Sequence, residues 1–156
     1  MEANEKLIEV LNGLIEINHD RVNGYEKAIE ETKDLDSDLK AIFRSMANDS
    51  SKYASELSSV VIGLGATPAD GTTNSGKIYR VWMDIKTTFT GHDRQSVLEL
   101  CEFGEDAAQK AYKDAIASDA EMSADNRNLI VDQQARLKTA HELIKKYRDI
   151  HKTVNA

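Results

Sequence analysis

The sequence predicts an all-α protein built as one four-helix bundle. Three observations carry this. Apolar residues recur every three or four positions along four long stretches, the period of a helix with one buried face. One proline, Pro68, in 156 residues leaves those stretches uninterrupted, because proline breaks helix interiors. Aromatic residues make up only 6% of the chain and β-branched runs are scarce, which argues against strands.

The first helix is predicted over 4–33, with Leu7, Leu11, Leu14, Asn18, Val22, Tyr25 and Ile29 along its inner line. Asn4 can cap its start, and Glu5 sits in the first turn, where the helix dipole favours an anion. The run Asp34-Leu35-Asp36-Ser37 is a short turn, so the next helix returns as an antiparallel neighbour. That second helix is predicted over 38–64, with an inner line from Leu39 through Phe43, Met46, Ser50, Tyr53 and Leu57 to Val61. Gly63 and Gly65 bracket its end, as a left-handed C-cap requires.

A crossover is predicted over 65–93, beginning as a Gly-, Thr- and Asn-rich loop and carrying a short helix over 77–89. In that helix Ile78, Trp82, Ile85 and Phe89 share a face, while Lys77, Arg80 and Lys86 form a basic patch. The third long helix is predicted over 94–118 with Leu98, Cys101, Glu105, Ala108, Tyr112 and Ile116 inward, capped by Asp93. The fourth is predicted over 123–151 with Ser123 as its cap and Asn126, Ile130, Gln133, Leu137, His141, Ile144 and Arg148 inward. Two hairpins joined by one long crossover is the ferritin-like way of connecting a bundle.

The chain length suits one domain and can bury a core without disulfides. The formal net charge of −7 removes any electrostatic reason to bind phosphate backbones, so no nucleic-acid partner is expected. No apolar run reaches membrane-spanning length, and residues 1–10 are too polar for a secretion signal. No membrane partner is expected, and a cytoplasmic location is. A homodimer is an open assembly. Cys101 lies on the core face, where a cysteine behaves as a small hydrophobe.

The informative residues are polar ones on faces that should be buried. Glu105 falls in the middle of the third helix's apolar stripe, and Glu102 leans inward one turn earlier. Buried carboxylates need partners. Candidates are Asn18 and Arg21 on the first helix and Gln134 and His141 on the fourth. Equal helix rise places Glu102 level with His141, and Asn18, Arg21, Asp49, Ser50 and Glu105 near one central layer.

Two readings follow. The favoured one is a core polar network of Asn18, Arg21 and Gln134 around the two glutamates, in a non-enzymatic structural or interaction protein. The alternative is a metal site of Glu102, Glu105 and His141, with Asp49 and Glu26 as secondary candidates, holding iron or manganese. The second helix weakens it by offering Asp49-Ser50-Ser51-Lys52, with lysine where a second histidine ligand would stand. A third class is histidine phosphotransfer through His19. There Val22 and Asn23 stand where such domains carry lysine and glycine. No catalytic triad, phosphate-binding glycine loop or Cys-x-x-Cys is present.

The chain resembles a bacterial domain-of-unknown-function family of ferritin-like four-helix-bundle proteins. The residues carrying the resemblance are Gly24-Tyr25 with Ala28, Glu56-Leu57, Leu64-Gly65 with Pro68, Arg80-x-Trp82, Gly104-Glu105-Asp106 with Tyr112, and His141. It implies the fold and a bacterial source, and no established activity. The ferritin ligand pattern it implies carries over only to Glu105, Glu102 and His141.

Overall fold

A computed structural model describes residues 2–32, 37–71 and 94–154. They form four helices: α1 (Glu2–Glu31), α2 (Ser37–Gly63), α3 (Arg94–Ala117) and α4 (Ala124–Val154). The bounds shift from those expected by at most three residues, the largest change being α4, which runs on to Val154 rather than stopping at 151. The sequence holds no proline or glycine there to stop it. The expected short helix over 77–89, with Trp82 and its basic patch, lies outside the described residues, as does Asp93.

Both visible caps follow from local chemistry. Gly65 adopts φ 84°, a left-handed conformation that costs glycine nothing. Its N–H donates to the Ile62 carbonyl at 2.9 Å and the Ala66 N–H to the Val61 carbonyl at 3.1 Å. These paired bonds are the Schellman end of a helix, and they satisfy carbonyls that α2 would otherwise leave without partners. At the start of α4, the Ser123 hydroxyl accepts from the Asn126 N–H at 3.1 Å, an N-cap bond.

Cross-helix pairs fix the helix directions. Lys6 meets Asp119, Asn18 meets Tyr112 and Arg21 meets Glu105, so α1 and α3 are antiparallel. Tyr112 meets Gln133, Asp106 meets His141 and Glu102 meets Arg148, so α3 and α4 are antiparallel too. Packing is most extensive within the hairpins α1–α2 and α3–α4, and among the neighbouring helices α2 and α4 touch least.

The core divides into two apolar clusters. One gathers Leu7, Leu11, Leu14, Tyr53, Leu57, Val61, Tyr112, Ile130 and Leu137. The other gathers Tyr25, Leu39, Phe43, Met46, Val97, Leu98, Cys101 and Ile144. Each fully buried leucine or phenylalanine contributes roughly 1.5–3 kcal/mol. Val61, near the end of α2, belongs to the first cluster, while Val97, near the start of α3, belongs to the second. α2 therefore ends and α3 begins at opposite ends of the bundle. Between the clusters lie the buried polar residues Asn18, Arg21, Ser50 and Glu105, while Gln133 is buried within the first cluster, between Ile130 and Leu137. Asp20, which the sequence pattern did not single out, is buried as well.

Among the described residues, no helix is long and apolar enough to cross a membrane.

Candidate functional site

Arg21 and Glu105 meet at the centre of the bundle with 1% and 0% of their side chains exposed. Helical spacing delivers both. Arg21 is one turn after Asn18 and one turn before Tyr25 on the inner face of α1, and Glu105 is one turn after Cys101 on α3. Arg21 donates to Glu105 Oε1 from Nε at 3.1 Å and from Nη2 at 2.5 Å. Its third nitrogen, Nη1, donates to the Ser50 hydroxyl on α2. The Tyr25 hydroxyl donates to the same Oε1 of Glu105. The guanidinium carbon also lies 5.4 Å from the Tyr25 ring centre, within cation–π range.

Electrostatics follow the geometry. Burial pulls Arg21 toward neutrality, but Glu105 and then Tyr25 push its pKa up, and the net direction is up. Arg21 stays charged. The hydroxyl of Tyr25 is held neutral, its pKa raised by burial and by the Glu105 carboxylate. The same two causes raise the pKa of the buried Cys101 thiol.

A second, uncharged chain of bonds lies beside the ion pair. Asn18 Nδ2 donates to the Tyr112 hydroxyl at 2.8 Å and to the Leu14 carbonyl at 2.9 Å. The Tyr112 hydroxyl donates to Gln133 Oε1 at 2.6 Å. Gln133 Nε2 reaches the Tyr53 carbonyl and Glu56 Oε1 on α2, each at 3.3 Å. The amide serving this network is thus Gln133. Gln134, one residue on, is turned about 100° away and is half-buried. Its backbone carbonyl accepts from Gln109 Nε2 at 3.3 Å.

The remaining candidates separate from this layer. Glu102 turns to Arg148 and His141 Nε2 turns to Asp106, both on the seam between α3 and α4. Glu102, Asp106 and His141 each present one ligand-capable atom, all within 4.8 Å of one another. Glu105 does not share that group. Asp49 and Glu26 are exposed on α2 and α1. The sequence pattern missed Asp106. It stands beside Glu105 in the run Gly104-Glu105-Asp106, but lies off the apolar stripe and is 64% exposed.

His19 is half-buried, and its Nδ1 lies 2.8 Å from the Gly71 carbonyl. Asn12, two turns earlier, holds the same segment: its Oδ1 accepts from the Ala69 N–H at 2.9 Å. The two side chains fasten the first leg of the crossover along α1. Glu16 and His19 form a Glu-x-x-His spacing, which corrects the expectation that the chain holds none. It sits on the crossover flank of α1, outside the central layer. Burial and then Asp20 raise the pKa of Glu16, and His19 partly offsets them.

A ferritin-like fold implies a paired-iron centre held by inward carboxylates and histidines. The central layer does not fit one. Its Glu105 carboxylate is taken up by a permanently charged guanidinium, which repels a dication.

No curated protein matches the sequence. A family model described as a domain of unknown function (DUF2383) matches residues 6–118, which span α1, α2, the crossover and α3. The chain belongs to that family.

Proposed function

We propose that this protein is a non-enzymatic, ferritin-like bundle that acts as a structural or interaction protein. One observation carries the reading: Arg21 and Glu105, paired at the centre of the bundle, occupy the level where a ferritin-like enzyme needs a cluster of metal ligands. That α2 ends and α3 begins at opposite ends of the bundle supports the ferritin-like helix order. The ion pair fills the gap between two apolar clusters and ties α1, α2 and α3 at one level. Buried polar groups fix helix register in some bundles, and we assign that role to this layer. The activity then lies in the surface, with a homodimer as the simplest assembly. We read the protein as bacterial and cytoplasmic, in keeping with its one cysteine, free and buried.

The test is iron oxidation. Ferrous iron is added anaerobically to tag-free protein, air is admitted, and ferric absorbance is followed. The proposal expects the rate of buffer alone. Acceleration by the wild type that is lost in Glu105→Gln overturns it.

A further inference from the structure

The seam between α3 and α4 holds chemistry that the central layer does not use. Glu102 and Asp106 are four residues apart, so both stand on one face of α3. His141 meets them from α4. The three ligand-capable atoms lie within 4.8 Å of one another. Metal–oxygen and metal–nitrogen bonds of about 2.0–2.2 Å put ligand atoms roughly 3–4.4 Å apart around a single ion, so the set has to draw in slightly to close. Small side-chain rotations therefore suffice to close the set on one centre.

Two further features favour a site over a chance meeting. First, the His141 side chain is only 16% exposed, so packing holds the ring in place. Second, an open cavity of about 350 Å³ reaches both Asp106 and His141 and gives an ion a path in.

We propose that Glu102, Asp106 and His141 form a divalent-cation site on this seam, separate from the Arg21–Glu105 layer. Two carboxylates and one imidazole suit manganese, ferrous iron or zinc, and they leave coordination positions open to water. Nearby cations set the affinity. Arg148 is paired with Glu102, and Lys110, Lys113 and Lys138 line the cavity. A metal must displace Arg148 from the Glu102 carboxylate, so binding is weaker than the ligand set alone would give. This turns Arg148 into a diagnostic residue. Removing its charge should tighten metal binding, whereas losing a merely structural ion pair has no such effect.

The experiment is equilibrium dialysis of chelator-stripped, tag-free protein against manganese and, separately, zinc, with bound metal counted per chain. Circular dichroism checks that each variant is folded. The proposal expects one ion per chain for at least one of the two metals. Affinity should fall by more than about tenfold in His141→Gln and in Asp106→Asn, and rise severalfold in Arg148→Gln. No binding of either metal overturns the site. So does binding that both ligand variants leave unchanged. The readout is metal bound rather than iron oxidised, so this site can fail while the non-enzymatic reading stands, and the reverse.

Discussion

Glu105 and Asp106 are neighbours on α3 and carry the same charge, yet they meet opposite environments. Glu105 is fully buried and takes three hydrogen bonds on one oxygen, two of them from a permanent cation. Asp106 is 64% exposed and pairs with His141. A rotation of about 100° around the helix separates the two fates. The comparison teaches that burial, more than ligand identity, decides what a carboxylate does here. Inside, it is committed to its partner, because losing that partner strands a charge away from water. On the seam, solvent screens the pair and leaves the carboxylate free to exchange partners.

The sharpest way to break this contrast is to remove the buried partner. Arg21→Ala should destabilise the fold by about 3–5 kcal/mol, since it leaves Glu105 buried and unpaired. Urea denaturation measures it. The neutral chain of bonds should matter less. Tyr112→Phe removes the hydroxyl that joins Asn18 to Gln133 and should cost about 1–3 kcal/mol by the same assay.

A pH titration extends the comparison to the other buried groups. The pKa values of Cys101, Tyr25 and Tyr112 are all raised, with burial as the first cause. The native state keeps these protons where the unfolded chain releases them. Their stabilising contribution is complete below the ordinary values of 9.0 for the thiol and 10.0 for the phenols, and it is lost as pH rises beyond them. Stability should therefore fall above about pH 9, and Tyr112→Phe should flatten that fall.

At the seam the expected effect on stability is smallest. Asp106→Asn should shift it by at most about 1 kcal/mol, as for exposed ion pairs generally. A loss as large as that of Arg21→Ala would erase the distinction between the two regions.

The sequence made much of this contrast visible. Helical spacing put Asn18 and Glu105 on inward stripes, a charge on such a stripe has to find a partner, and equal helix rise offered Arg21 at that level although it lay off the predicted inner line. It also put Gln133 and Arg148 on the inner line of α4. What it could not supply was rotation to within one residue. Glutamines at 133 and 134 are adjacent and chemically identical: the spacing puts Gln133 on the inner line, yet the amide expected in the network is Gln134, and the packed bundle gives that place to Gln133. Asp106 was hidden for a related reason. It lies off the apolar stripe, and its role depends on meeting His141 across two helices, 35 positions apart in the chain. His19 is the converse case. Its surroundings suggested phosphotransfer, but its contact with Gly71 is made by a loop whose path no periodicity predicts.

The central claim is that Arg21 and Glu105 brace the core as a pair, each indispensable only because the other is present. The most direct measurement compares Glu105→Ala with the double variant Arg21→Met/Glu105→Leu in urea denaturation. Glu105→Ala should lose about 3–5 kcal/mol, and the double variant should recover most of that loss, because apolar side chains of similar volume replace a buried pair at little cost. A Glu105→Ala protein as stable as the wild type would contradict the account.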